Sequence, residues 1–206
     1  SKPAEMVVDQ IRKNGGDALA VKVDCVNEGE VGLLSIHPWM ARKIDVLVLN
    51  HGAYNRVAAD ELTIETLRET MAVNFEGSVA IWKAIQPHLS DKARMVVVGS
   101  QLGTRGSPHG ADYSASKAAL TVWARSLAQQ VGPEGKRVNI LAPGYVDTAI
   151  LAGDSQSKRK QREDEVPLKR VGTPEDMAST IAFLVGDDSA YVTGSIIHVN
   201  GGLYLP

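Results

Sequence analysis

The feature that most constrains this chain is the alternation of short apolar runs with segments of helical periodicity, sustained from end to end. Apolar runs occupy residues 18–23, 44–49, 93–98, 138–142 and 196–199. Between them, residues 3–14, 28–41, 60–88, 113–131 and 174–185 read as helices, the fourth with Leu120, Trp123, Ala124, Leu127, Ala128 and Val131 on one stripe. Strands and helices in strict alternation predict an α/β fold with a parallel sheet covered on both faces. The run at 93–98 is apolar enough to be a central strand. Thr173 and Pro174 supply a cap and a first-turn proline for the helix at 174–185.

Residues 149–168 break the pattern. They hold Gly153, Asp154, Ser155 and a charge run from Lys158 to Glu165 without an apolar stripe, and read either as a mobile substrate flap or as a solvated helix with intrahelical ion pairs.

A chain of 206 residues with 44% apolar content is large enough for a buried core and is expected to form one domain over 1–206. Its formal charge of −2, with signs interspersed, provides no basic stripe, so no nucleic-acid partner is expected. Charged residues or glycines interrupt every hydrophobic stretch before a bilayer span is reached, and no membrane partner is expected either. Cys25 is the lone cysteine, which excludes an internal disulfide and favours a reducing, cytoplasmic setting. His37, His88, His109 and His198 lack metal-ligand spacing, and no metal is expected.

Tyr113 and Lys117 stand one helical turn apart in Y-S-A-S-K, so an ammonium approaches a phenol. A neighbouring cation favours phenolate and would move Tyr113 toward the range useful for proton transfer. The Y-x-x-x-K spacing alone is weak evidence. It gains weight because Ser100 follows the strand at 93–98, where parallel sheets place ligand sites. Asn50-His51-Gly52 and Pro143-Gly144 leave two other strands at the equivalent ends.

Taken in order, Asp24, L-N-H-G at 49–52, Asn74, Ser100, Y-S-A-S-K at 113–117, P-G-Y-V-D-T at 143–148, P-L-K-R-V-G-T-P-E-D at 167–176 and V-T-G-S-I-I-H-V-N-G-G at 192–202 resemble the short-chain dehydrogenases/reductases along essentially the whole chain. The resemblance implies a Rossmann-like doubly wound parallel sheet and an oxidoreductase using NAD or NADP on a small-molecule carbonyl or alcohol, most like beta-ketoacyl carrier-protein reductases or sugar and polyol dehydrogenases. It implies Tyr113 as general acid-base, Ser100 holding the substrate oxygen, Lys117 tuning Tyr113 and binding the nicotinamide ribose, and Asn74 supporting a proton relay. It places Asp24 and Cys25 near adenine, Asn50 and Gly52 by the adenosine ribose, and Pro143, Gly144, Val146 and Thr148 around nicotinamide and phosphates. It also implies a homo-oligomer, dimer or tetramer, built through the helices at 60–88 and 113–131.

The chain departs from the family in two ways. His51 stands where alanine is usual, and Leu49 replaces an asparagine; a loop histidine without an identifiable partner is read as structural. The strand, glycine-rich turn, helix and strand with which the family opens do not precede the helix at 3–14, so the Rossmann-like fold is N-terminally incomplete here. Two inner strands would then be missing between 18–23 and 44–49. Orphaned backbone groups cost about 1–3 kcal/mol each, so the native polypeptide is expected to contain that segment. A catalytically silent cofactor-binding or scaffold protein is the alternative reading.

Overall fold

The computed structural model describes residues 2–206. Their four strands, β1 (Ile44–Leu49), β2 (Leu89–Val98), β3 (Arg137–Pro143) and β4 (Ile196–Val199), form one sheet in the order β1-β2-β3-β4, parallel throughout. Helices fill every crossover. They are α1 (Lys2–Lys13) and α2 (Glu28–Ser35) before β1, then α3 (Ile64–Met71) and α4 (Gly77–Ile85). After β2 come α5 (Leu102–Arg105) and α6 (Ala111–Val131), and after β3 come α7 (Gln156–Glu165) and α8 (Pro174–Val185). This is the expected Rossmann-like α/β arrangement.

Alternation along the central strands divides the core in two. Met95 and Val97 of β2 join Val138 and Ile140 of β3 beneath the apolar stripe of α6, where Leu120, Ala124, Leu127, Ala128 and Val131 are all buried. Val96 and Leu141 point the other way, onto Leu184, Met177 and Ile181 of α8. Covering both faces is what lets β2 and β3 be nearly continuous apolar runs. Trp123, the outermost member of the predicted stripe, is half-buried and meets Trp82 edge-on at 6.1 Å.

Several predicted boundaries shift for identifiable reasons. The helix expected over 28–41 stops at Ser35 and resumes as a 3₁₀ turn over Pro38–Ala41, because a proline disfavours helical backbone in the residue before it. The helix expected over 60–88 starts at Ile64, where the Thr63 hydroxyl caps it by accepting from the Thr66 N–H. That helix is interrupted by a π-turn, Ala72–Glu76, before α4. Thr173 and Asp176 form a reciprocal capping box with Pro174 in the first turn of α8, as the sequence indicates.

Residues 18–23 are not a strand. Strands exist by pairing, and no strand among the described residues lies beside this segment; Leu19 and Val21 are 44% and 48% exposed. Within the sheet β1 is accordingly an edge, with Val46 and Val48 exposed on it. Residues 149–168 contain the solvated helix, α7, with ion pairs Arg159–Glu163 and Lys160–Asp164 at i,i+4.

Candidate active site

Because the strands are parallel, their carboxyl ends share one edge, and the loops carrying Asn50–Gly52, Gly99–Ser100 and Pro143–Gly144 leave from it side by side. Backbone bonds tie the second and third of these together and to β4: Gly99 donates to the Leu141 carbonyl, Gln101 to Pro143 and Gly144 to Val199. Helix α6 starts at the same edge and brings Tyr113 and Lys117 to it in its first two turns.

Lys117 is 3% exposed, and its Nζ donates to the carbonyl of Val98, the last residue of β2, at 2.8 Å. Burial of the ammonium lowers its pKa to about 8. The Nζ stands 5.8 Å from the centre of the Tyr113 ring. Tyr113 itself is half-buried, and its phenol pKa is raised. Burial raises it most, a hydrogen bond with Ser100 draws it back, and Tyr54 raises it further. The expectation that Lys117 pulls the phenol down is therefore corrected: the ammonium is turned to a carbonyl, and desolvation of the phenol dominates.

Asn74 is fully buried in the π-turn. Its amide brackets the backbone of Ala53, with Oδ1 accepting from the Ala53 N–H at 2.7 Å and Nδ2 donating to the Ala53 carbonyl at 2.9 Å. Nδ2 also donates to Ser116 Oγ at 3.0 Å, and Ser116 in turn donates to the Tyr113 carbonyl. Ser116, absent from the sequence-derived site, thus ties the loop after β1 to the turn that bears Tyr113. The only sequence hint was its place between Tyr113 and Lys117. Gly52 is hemmed in by the same groups: a Cβ there would lie 3.2 Å from both Asn74 Oδ1 and Lys117 Nζ.

His51 acquires the partner that the sequence did not reveal. Its Nε2 lies 3.2 Å from Ser78 Oγ, on the first turn of α4, and Ser78 donates to the Asn74 carbonyl. Burial and the nearby Lys117 push the imidazole pKa down, so the ring is neutral near pH 7.

The remaining predicted residues are more scattered. Asp24 caps its own turn by accepting from the Val26 N–H. The Cys25 thiol faces the Val73 carbonyl of the π-turn at 4.0 Å and is held above its ordinary pKa, mainly by burial. Asn50 is exposed at the sheet edge. Beyond Pro143 and Gly144, Val146 bridges to Gly172, and the Thr148 hydroxyl turns back to the Val146 carbonyl. Asn74, Ser100, Tyr113, Lys117 and Gly52 are thus gathered into one constellation, whereas Asp24, Cys25 and Thr148 form its outskirts.

Two sets of contacts were not foreseen. Tyr54 stacks on Tyr113 with ring centres 4.6 Å apart. Asp154, its side chain only 5% exposed, joins Arg56 at 3.2 Å to Arg162, whose guanidinium lies 4.5 Å over the Tyr145 ring. No group of three His, Cys, Asp or Glu side chains that could hold a metal ion occurs among the described residues. No helix among them is long and apolar enough to cross a membrane.

A family described as enoyl-(acyl carrier protein) reductase matches residues 1–204. The chain belongs to the short-chain dehydrogenase/reductase family. Relatives in it include the 3-oxoacyl-[acyl-carrier-protein] reductase FabG of Escherichia coli, 33% identical over 79% of this chain and 68% of the relative. Cyclohexanol dehydrogenase of a Rhodococcus species is 36% identical, over 98% of this chain and 79% of its own. A short-chain dehydrogenase from Burkholderia cenocepacia, solved in complex with NADP, superposes with a TM-score of 0.91 at 31% identity, covering 98% of this chain and 83% of that one. These relatives are oxidoreductases, and the parallel sheet flanked by helices is the fold this chain shares with the solved structures.

Proposed function

We infer that this protein is an NAD- or NADP-dependent oxidoreductase that interconverts a ketone and a secondary alcohol. The observation carrying this reading is the constellation at the start of α6, where the Tyr113 phenol beside Ser100 shares a helix face with a buried ammonium at the carboxyl edge of the sheet. The names of the Escherichia coli and Rhodococcus relatives, one a ketoacyl reductase and one an alcohol dehydrogenase, support the substrate class. The NADP complex of the Burkholderia structure supports the cofactor.

The residues present fit the nicotinamide ribose of such a cofactor. Val98 takes one donor of the Lys117 ammonium, and the others are available to ribose hydroxyls beside Gly52, where the missing Cβ leaves the ammonium approachable. Asn50 and Gly52 would meet the adenosine ribose, Asp24 and Cys25 the adenine side, and Pro143, Gly144, Val146 and Thr148 the nicotinamide side. The bound nicotinamide supplies or accepts the hydride.

The rest is proton handling by the chain. The Tyr113 phenol carries its proton at neutral pH and can deliver it to a developing alkoxide. Ser100 orients the carbonyl oxygen toward that proton. Lys117, its ammonium held at the Val98 carbonyl, serves to position the cofactor's ribose beside Tyr113. Asn74 and Ser116 fix the loop that carries Gly52 against α6.

The test is NAD(P)H oxidation by the full chain against a panel of ketones, with cofactor binding followed by fluorescence. Tyr113→Phe is expected to lose at least about a hundredfold in turnover while binding the cofactor as tightly as the parent. Cofactor binding without turnover on any ketone would favour the silent scaffold instead, and an unimpaired Tyr113→Phe would remove the proton-transfer role.

A further inference from the structure

The segment between Gly52 and Arg56 runs past Tyr113 and is fastened on both sides. On one side the Tyr54 hydroxyl donates to the His109 carbonyl at 2.9 Å, in the loop that leads into α6. On the other, Arg56 donates to the Ile150 carbonyl at 3.0 Å and pairs with the buried Asp154. Ala53, between them, is bracketed by the Asn74 amide. Three separate anchors over four residues leave this strap little freedom.

The strap delivers an aromatic ring to Tyr113. The two rings are tilted by 43° with centres 4.6 Å apart, within the contact range of aromatic pairs. Tyr54 is also seated against Gly110 so closely that a Cβ at 110 would lie 2.5 Å from its Cε2. The glycine is a socket for the ring, and the hydrogen bond to His109 closes it. The ring's position is set by the backbone on either side of it.

Resting on the ketone–alcohol reading above, we propose that Tyr54 is the residue that sets the size of substrate admitted to Tyr113. A carbonyl whose oxygen reaches the phenol and Ser100 must pass one of its two substituents along the Tyr54 ring. A slim flank, such as a methyl group or the methylene of an unsubstituted ring, fits beside a flat aromatic wall. A branched or aryl flank collides with a ring that cannot withdraw, because Gly110, His109 and the Arg56–Asp154 pair hold the strap. Methyl ketones and simple cyclic ketones are therefore the accepted class, and ketones branched on both sides are refused.

The experiment compares kcat/KM across methyl ketones, unsubstituted cyclic ketones and ketones branched on both sides, for the parent, Tyr54→Ala, Tyr54→Leu and Tyr54→Phe. Either truncation is expected to raise the bulky-to-slim ratio of kcat/KM by about tenfold or more, the scale on which pocket volume is discriminated. Tyr54→Phe keeps the ring and should hold that ratio within about threefold of the parent. Fluorescence titration with NADPH, expected to be unchanged, shows that each variant is folded. An unchanged ratio in both truncations, or a shift in Tyr54→Phe as large as theirs, would overturn the role of the ring. Failure of the parent reading looks different: the unmodified chain would reduce no ketone, or Tyr113→Phe would reduce them all normally.

Discussion

Replacing Asn74 with alanine tests how far the site and the fold depend on one side chain. The amide makes three hydrogen bonds from a fully buried position, two to the Ala53 backbone and one to Ser116 Oγ. Its removal leaves the Ala53 N–H and carbonyl without partners, at about 1–3 kcal/mol for each group that water cannot reach. Ala53 is only half-buried, so the lower part of that range applies and the total comes to about 2–3 kcal/mol. For a chain of this size, that corresponds to a fall in Tm of roughly 4–12 °C. Ser116→Ala removes two links, the one from Asn74 and its own to the Tyr113 carbonyl, but leaves Ala53 fully paired, and should cost about 1–2 kcal/mol. Urea unfolding followed by circular dichroism gives both values, and ketone turnover should fall more steeply than stability in Asn74→Ala because Gly52 and Lys117 lose their register. A stability change below about 0.5 kcal/mol in Asn74→Ala, or a larger loss in Ser116→Ala, would refute the clamp.

Two further outcomes follow from the charged groups. Lys117 has a folded pKa near 8 against 10.5 for the free group, so between those values the unfolded chain binds the extra proton. Stability of the cofactor-free protein should therefore rise as pH climbs from about 8 toward 10, and Lys117→Met should flatten that rise; a parallel slope in both proteins would refute it. Asp154→Asn removes the carboxylate that Arg56 and Arg162 share and should speed proteolytic cleavage within 149–168 without moving the global melt. An unchanged cleavage pattern would show that the ion pairs do not hold this segment.

Much of the architecture could be read directly because the signals were repeated. The stripe of α6 and the apolar runs of β2 and β3 each bury what their periodicity says they should, and the capping box of α8 lies in adjacent letters. Residues 18–23 misled because an apolar run reports affinity for a sheet and says nothing of whether a neighbouring strand is there. Among site residues, Ser100, Tyr113 and Lys117 were legible since a strand end and a single helical turn bring them together. The influence of Lys117 on the phenol was not, because proximity along a helix does not reveal which way an ammonium turns or how dry a ring becomes. Tyr54 and the Arg56–Asp154 pair lay beyond reach for another reason. Their contacts span 55 and 98 residues, and nothing in a loop's composition encodes a partner so distant.

The π-turn at Ala72–Glu76 has a consequence for how this site tolerates change in length. Such a turn holds one residue more than a regular helical turn, so it equals a single-residue insertion in an otherwise continuous run from α3 to α4. Deleting one residue there would straighten the helix and satisfy its backbone more fully, while swinging the Asn74 amide away from Ala53 and Ser78 away from His51. The chain would gain a better helix and lose the hold on its own active-site loop. Indels at this point, unlike those in the exposed loops, are where the helix and the active site make opposing demands on the same stretch of chain.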